Sequence, residues 1–351
     1  MLKKIVIHNF RCFKRFQISG LKQLNIIVGD NNSGKTSFLE GVSLVCKPHL
    51  KHLFWLVQQR IENPDSITSI QEELDFLFNN ANEKAKIEVE SEAGEFFIDV
   101  EKNTEVDSQK CFSLFTVSGE NTCEEVINNE YLLNKDFFKL NTEIKRFGSL
   151  KLEKPNKKTH ILINSVYQLK EKWLIQLLMQ LETLKFEDRE TWKKDVLPFL
   201  QKIYPDLVGV EFGRNSRIII ETNTNSLPLS YMGDGFKKSF YLLLAVYCCK
   251  DGVLVIDELE TGIHYENQLA VWQMLLSASQ KFNTQLFIST HSYEMLEYLQ
   301  KAIENQPQHD KTHWQEQLSL YSFVKLNNKP ASYYHDYNSF NELVKSKWEL
   351  R

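Results

Sequence analysis

The fold is decided by one short stretch, Gly29-Asp30-Asn31-Asn32-Ser33-Gly34-Lys35-Thr36, which matches the phosphate-loop pattern G-x-x-x-x-G-K-[ST]. A strand-like apolar run at residues 24–28 precedes this loop, and a helix-like run at residues 37–42 follows it. In that order of elements, N–H groups at the helix N-terminus surround phosphates, the lysine reaches the outer phosphates and the threonine hydroxyl binds Mg²⁺. The stretch therefore predicts a nucleotide triphosphatase. The alternative is a loop of this shape that binds nothing.

A second apolar strand, residues 253–256, ends in two carboxylates, Asp257 and Glu258. This is the pattern of a Walker B motif, in which Asp257 holds the metal and Glu258 orients the attacking water and accepts its proton. The alternative is that both acids only cap the next loop. We favour the catalytic interpretation, because hydrolysis needs a metal carboxylate and a water-positioning group beside the phosphate loop.

Two further patterns narrow the class. The strand at residues 286–289 leads to His291, where a parallel sheet delivers side chains to its ligand edge, so His291 is expected to sense the γ-phosphate. The alternative is a helix cap around Ser292. Gly233 and Gly235 open a helix and form a possible second anion cradle, or else only a tight turn. Because one triphosphate cannot easily use two cradles in one subunit, we expect the second to serve a partner subunit.

The composition fits an ordinary globular protein, with 351 residues, 42% hydrophobic and 25% charged residues and a net charge of −4. It excludes a disordered chain and a surface that binds polyanions over its whole area. The six cysteines lack the spacing of zinc ligands. No apolar run reaches the roughly 18 residues of a membrane span, and no signal peptide is visible. We therefore expect a cytoplasmic protein without membrane contacts.

The remaining patterns predict a nucleotide-binding core that is split by an insertion. Strands are expected around residues 5–7, 16–18 and 218–220, a β-hairpin at residues 85–100, a short helical hairpin at residues 166–200 with a polar break at residues 186–189, and a helix from about Phe236. The core is predicted to comprise residues 1–45 and 206–351. Residues 46–205 are predicted to form the insertion, a β-rich lobe with a helical arm.

The order of these motifs resembles ABC-type ATPases of the RecF, SMC and OLD kind, and especially the stand-alone AAA-family ATPases of prokaryotic defence operons. The resemblance is carried by residues 9–13, 29–37, 232–238, 255–266 and 289–292. It implies an α/β fold: a P-loop ABC-type ATPase head with a mixed sheet, carrying the inserted β-lobe and short helical hairpin.

The same resemblance implies roles for individual residues. The loop residues that bind ATP are Gly29, Asn31, Asn32, Ser33, Gly34, Lys35, Thr36 and Ser37. The Mg²⁺ ligands are Thr36 and Asp257, and the catalytic residues are Glu258, His291 and Lys35. Arg11 resembles an arginine near the nucleotide, or else belongs to a basic face. Gly233 and Gly235 act across an ATP-sandwiched homodimer, and His264 lies in the loop between such subunits or is simply solvated. Gln58 and Gln59 are the candidates for a Q-loop.

The leading functional hypothesis is a Mg²⁺-dependent ATPase whose ATP-driven dimerisation regulates a partner effector encoded nearby, in anti-phage defence. OLD-type nucleases append a TOPRIM domain, whereas the about sixty residues after His291 hold no Asp-x-Asp, so we expect no nuclease activity. One alternative is a RecF-like DNA-repair ATPase, since the first 29 residues contain six Lys or Arg and no Asp or Glu. A second is a nucleotide-gated scaffold or antitoxin-like holder, against which the intact Glu258 argues.

Overall fold

The computed structural model describes residues 1–46, 84–107, 110–119, 125–127, 160–163, 186–212, 218–327 and 329–346, with isolated positions between 52 and 79. The chain forms two compact units. The first comprises residues 1–21, 36–157 and 325–331, and the second residues 22–35, 158–324 and 332–351. The predicted domain boundaries at residues 45 and 206 stay a prediction. Gln58, Gln59 and most of the first half of the helical hairpin lie outside the described residues.

The described part of the chain contains the following strands and helices, given in chain order. They are β1 (Leu2–Phe10), β2 (Phe13–Ser19), β3 (Leu24–Gly29), α1 (Lys35–Cys46), β4 (Lys84–Ser91), β5 (Gly94–Asp107), β6 (Lys110–Gly119), β7 (Glu125–Ile127), β8 (His160–Ile163), α2 (Phe186–Ile203), β9 (Leu207–Phe212), β10 (Ile218–Thr222), β11 (Ser226–Pro228), a 3-10 turn (Leu229–Tyr231), α3 (Asp234–Cys248), β12 (Val253–Ile256), α4 (Tyr265–Lys281), β13 (Gln285–Ser289), α5 (Tyr293–Glu304), α6 (Gln308–Gln317), β14 (Leu318–Leu326), β15 (Lys329–His335) and α7 (Tyr337–Lys345).

The first unit is built on an antiparallel sheet with the strand order β2-β1-β4-β5-β6-β7. Buried apolar residues alternate with more exposed ones along β4, as expected for a sheet with one face on a core, whereas β1 is buried at three successive positions, residues 5–7. Phe13 and Phe16 stack in this core with ring centroids 4.4 Å apart. The predicted hairpin at residues 85–100 is confirmed by β4 and β5, which turn at Gly94 with φ +120°.

The second unit contains the sheet that positions the candidate site, with the strand order β15-β14-β3-β13-β12-β8. From β14 to β8 the neighbours pair in parallel. β15 follows β14 after a two-residue connection, which only an antiparallel pair allows, so the sheet is mixed. Strands β12 and β13 are buried at every position, which explains their continuous apolar sequence. The predicted α/β class with a mixed sheet is confirmed.

The register of this sheet aligns the ends of three strands. Ile256 of β12 pairs with Ile288 of β13, and Ser289 of β13 pairs with Ile27 of β3. The carboxyl ends of β3, β13 and β12 therefore lie side by side at one edge. The residues that follow these strands are the phosphate loop, the pair Asp257 and Glu258, and His291.

Helices of the second unit bury a shared apolar core. Trp192 of α2, Trp272 of α4 and Trp314 of α6 are each at most 1% exposed. The expected polar break at residues 186–189 is wrong in one respect, because α2 begins at Phe186. Residues 186–189 are thus part of a helix and not a break. None of the described helices is long and apolar enough to cross a membrane.

Two buried tryptophans offer a matched test of this core. Trp272 Nε1 donates to the Met295 carbonyl at 2.9 Å, whereas Trp314 Nε1 is buried without a partner among the described residues. Trp272→Phe removes similar volume and also removes this hydrogen bond, so we expect it to lower the free energy of unfolding by about 2–4 kcal/mol. Trp314→Phe should lower it by less. Urea unfolding of both variants measures the difference, and equal losses would contradict the assigned bond.

Candidate functional site

A cleft of about 290 Å³ opens in the second unit at the edge where the parallel strands end. One wall is the phosphate loop, with Val28, Gly29, Asp30 and Asn31. The opposite wall is the segment Thr290–Ser292 that follows β13. The cleft therefore lies between the predicted phosphate loop and the predicted γ-phosphate sensor, His291.

The phosphate loop has a backbone that favours glycine. Gly29 and Gly34 have φ values of +136° and +103°. A Cβ on Gly29 would lie 2.1 Å from the Phe323 carbonyl oxygen of β14, so no side chain fits there. Asn32 also has a positive φ, +60°, and its exposed side chain lies at the tip of the loop. Helix α1, which follows, has no acid in its first turn, so its positive end suits an anion.

Lys35 is the cation of this loop. Its Nζ donates to the carbonyl oxygens of Gly29 and Asp30, at 2.7 Å each, and lies 3.5 Å from Ser33 Oγ. Burial lowers the pKa of Lys35, and the nearby carboxylates, Asp257 first, act in the opposite direction. Phosphate oxygens can replace the two carbonyls as acceptors for this ammonium group. The geometry fits a triphosphate in the cleft.

The Walker B carboxylates are held by Ser289 at the end of the neighbouring strand. Ser289 Oγ donates to Asp257 Oδ1 in a short hydrogen bond and accepts from the backbone N–H of Glu258 at 2.8 Å. Asp257 is 3% exposed. Glu258 has φ +50°, a left-handed conformation that is strained for a residue with a side chain. This backbone places the half-exposed Glu258 carboxylate toward the cleft side, 3.9 Å from His291 Nε2.

His291 is brought beside Glu258 by the turn after β12. Its backbone N–H donates to Glu260 Oε1 at 2.7 Å. The neighbouring Ser292 caps helix α5, because its Oγ accepts from Met295 N at 3.2 Å. Capping is thus the role of Ser292, while the His291 side chain stays at the cleft. Its contact with a γ-phosphate stays a prediction.

The glycine pair lies at the start of helix α3, as predicted. Gly233 is the exposed residue before the helix, and a Cβ there would meet nothing within 4 Å. A Cβ on Gly235 would lie 3.1 Å from Asn267 Nδ2 of α4, so the two helix N-termini are neighbours. His264 precedes α4, with its ring exposed and 4.5 Å from the Tyr265 ring. The glycine pair and the exposed rings of His264 and Tyr265 thus lie on one surface of this unit.

Three predicted nucleotide-binding residues, Arg11, Thr36 and Ser37, belong to the first unit. Arg11 Nε lies 3.0 Å from Glu40 Oε2, and Arg11 Nη1 lies 3.4 Å from Glu73 Oε2. The arginine is 7% exposed, so its guanidinium is a buried partner of carboxylates in its own unit. The predicted contacts of these three residues with the nucleotide stay predictions.

Three residues near the catalytic acids received no role from the sequence: Ser289, Glu260 and Lys238. Ser289 was part of a recognised motif, but its bonds to Asp257 and Glu258 depend on strand pairing that the motif does not show. Lys238 is 5% exposed on α3. Burial lowers the pKa of Lys238 to about 8, while Glu260 and Glu258 act in the opposite direction. Lys238 lies three residues after Gly235, but the sequence pattern does not show that its side chain is buried.

The lowered pKa of Lys238 predicts that its contribution to the free energy of unfolding depends on pH. Below pH 8 its ammonium group is charged in both the folded and unfolded states, and the folded state carries the full cost of burial. Between pH 8 and 10.5 the unfolded state binds more protons, so wild-type stability rises relative to a variant without this group. The stability of wild type relative to Lys238→Met should therefore rise by about 3 kcal/mol between pH 8 and pH 10.5.

Urea unfolding at pH 7 and at pH 10 measures this change. Lys237→Met is the matched control, because Lys237 is more exposed on the same helix and pairs with Asp234 at 3.2 Å. It should show no such trend. A stability difference between Lys238→Met and wild type that is constant with pH would contradict the buried ammonium.

Known proteins resemble this chain in sequence and in fold. The family model described as "AAA domain, putative AbiEii toxin, Type IV TA system" matches residues 24–297. A Helicobacter pylori protein named "ATP/GTP phosphatase" is 24% identical over 343 residues, which cover 86% of this chain and 88% of that protein. An uncharacterized protein of Methanocaldococcus jannaschii is 35% identical over 68 residues, 19% of this chain and 60% of that protein.

Among solved structures, an SMC head bound to the C-winged helix domain of ScpA has the same fold, with a TM-score of 0.52 at 12% identity, covering 95% of this chain and 98% of that chain. The family match spans β3, the phosphate loop, the Walker B strand and His291. With the cleft between the phosphate loop and His291, these matches show that the chain belongs to this family of AAA domains and is an ATPase of the ABC/AAA type.

Proposed function

We propose that this ATPase binds Mg²⁺-ATP in the cleft beside Lys35, closes on it as a homodimer and thereby regulates a partner effector in antiviral defence. The observation that supports the proposal best is the state of Lys35. Its buried ammonium group donates to the carbonyl oxygens of its own loop and lies 3.5 Å from Ser33 Oγ, and the charges of Asp257 and Glu258 act on it. Such a group is ready to exchange backbone acceptors for phosphates.

Different residues around the cleft bind the phosphates, the metal and the attacking water. Lys35 binds the outer phosphates, and Thr36 and Asp257 would hold the metal. Mg²⁺, when bound, supplies positive charge that stabilises the developing charge on the phosphate oxygens. Glu258 orients the attacking water and accepts its proton, and His291 donates a hydrogen bond to the γ-phosphate.

Dimer closure is supported by the surface at the start of α3. Gly233 is exposed, and it precedes a helix N-terminus whose N–H groups suit an anion. The exposed rings of Tyr231 and Tyr265 flank the same region, with 77% and 59% exposure. Large exposed aromatic rings are typical of protein interfaces. We infer that this surface meets the nucleotide of a second copy.

The ionic contacts of the first unit favour a protein partner over DNA. The basic N-terminal segment motivated a RecF-like alternative, yet Arg11 is buried and Lys3 pairs with Glu92 at 2.9 Å. His8 lies 3.6 Å from Glu88. These contacts reduce the positive charge that the strand presents to a phosphate backbone. A scaffold that barely hydrolyses ATP is disfavoured by Glu258, whose carboxylate lies 3.9 Å from His291 Nε2.

The nucleotide chemistry is tested by two substitutions. Lys35→Ala removes the loop cation and should abolish ATP binding, whereas Glu258→Gln should bind ATP with near wild-type affinity and lower turnover at least ~100-fold, because only the proton acceptor is lost. Calorimetry measures binding, and phosphate release measures turnover. Normal turnover in Glu258→Gln would refute the assigned role of the carboxylate.

The dimer and effector are tested in the ATP-bound Glu258→Gln protein. A Gly233→Arg change fits the monomer, since its Cβ meets nothing within 4 Å, but should block closure on a partner's nucleotide. Light scattering with Mg²⁺-ATP should show a dimer for Glu258→Gln and a monomer for the double variant, with ATP binding retained. A complex with the product of a neighbouring gene should differ in stability between these two forms.

Two outcomes would contradict this account. Dimerisation that survives Gly233→Arg would place the interface elsewhere. Stimulation of wild-type turnover by DNA alone, without a partner protein, would favour the DNA-repair alternative.

A further inference from the structure

Glu260 makes an unusual pair of contacts beside the catalytic acids. It lies in the turn after β12, two residues beyond Glu258. Its Oε1 accepts a hydrogen bond from the backbone N–H of His291 at 2.7 Å. Its Oε2 is buried, and no residue in the described part of the chain donates to it. The carboxylate is therefore held inside the turn by its contact with the His291 backbone.

This contact is one of three ties between the turn and the end of β13. The backbone N–H of Glu258 donates to Ser289 Oγ at 2.8 Å, and that of Leu259 donates to the Ser289 carbonyl at 3.1 Å. Both of these bonds end at Ser289. Among the hydrogen bonds of the described residues, the Glu260 bond is the one that extends this connection to His291. The position of the His291 backbone thus depends on Glu260.

A buried lysine lies near Glu260. Lys238 of α3 is 5% exposed, and Glu260 is the first carboxylate that acts on it. The positive charge of Lys238 attracts the Glu260 carboxylate. A hydrogen bond from an N–H group to an ionised carboxylate is stronger than one to a neutral acceptor. Lys238 therefore supports the bond that holds His291.

We propose that Glu260 is a positioning residue for ATP hydrolysis, which fixes the His291 backbone so that the imidazole meets the γ-phosphate beside Glu258. This inference rests on the proposed role of His291 in the same site. The ring of His291 is half-exposed and lies 3.9 Å from Glu258, so its own contacts restrain it little. The hydrogen bond from the His291 backbone N–H to Glu260 restrains the residue that carries this ring.

The consequence is a loss of rate with little loss of binding. Lys35 and the phosphate loop hold the triphosphate independently of Glu260, so KM should stay within about twofold of wild type. A catalytic group displaced by about 1 Å can lose up to ~100-fold in rate, so Glu260→Ala should lower kcat by about 10- to 100-fold. Glu260→Gln keeps an oxygen that can accept the His291 N–H and should recover at least part of that loss.

A double-mutant cycle with His291 decides whether Glu260 acts through it. If it does, Glu260→Ala should lower kcat strongly in the wild-type background and by less than about twofold in a His291→Ala background, because nothing remains to be positioned. Glu304→Ala, at the exposed end of α5, is the control for loss of a carboxylate and should leave kcat and KM unchanged. Thermal unfolding of each variant checks that a lost rate is not lost folding.

The outcomes separate this inference from the proposed function. Additive effects of Glu260→Ala and His291→Ala, or a Glu260→Ala variant that is folded and has wild-type kcat, would overturn the positioning role alone. If Glu260→Ala does not fold, the same cycle with Glu260→Leu, which keeps similar bulk but has no acceptor, decides the question. A wild-type kcat in His291→Ala would overturn the assigned role of His291 and the inference together.

Discussion

The parallel pairing of β3, β13 and β12 is the constraint on which the rest of the site depends. Each strand is buried at nearly every position, and the register aligns Ile256 with Ile288 and Ser289 with Ile27. Parallel strands share one direction, so their carboxyl ends, and whatever follows them, lie at one edge. The phosphate loop, the two acids and His291 are distant in sequence and meet here because of this register.

The edge is then shaped by backbone conformations that the surrounding contacts enforce. Gly29 must be glycine because the Phe323 carbonyl fills the space of a Cβ. Glu258 adopts φ +50°, a conformation that persists because Ser289 holds its N–H. Strained residues of this kind are typical of sites where a side chain must point in one direction. The buried Lys35 adds a second constraint, because its charge must always have acceptors, from the loop itself or from a ligand.

Sequence alone predicted the parts of this arrangement that local pattern determines. The phosphate loop, the acids after β12 and the hairpin of β4 and β5 each have a pattern of residue types at fixed spacing. The roles of Glu260 and Lys238 could not be predicted, because they arise from contacts between β12, β13 and α3 that no spacing encodes. The environment of Arg11 was missed for the same reason: its partners Glu40 and Glu73 follow it by 29 and 62 residues. The break expected at residues 186–189 was wrong because charged residues occur in loops and on helix surfaces alike.

The central claim is that Lys35, whose ammonium group donates to the Gly29 and Asp30 carbonyls, binds the phosphates of ATP. A crystal structure of the Glu258→Gln protein with Mg²⁺-ATP tests it most directly. The account predicts a triphosphate in the cleft between the phosphate loop and residues 290–292, with Lys35 Nζ bonded to phosphate oxygens in place of the Gly29 and Asp30 carbonyls. A cleft without nucleotide at saturating ATP, or a bound triphosphate with Lys35 still on those carbonyls, would contradict it.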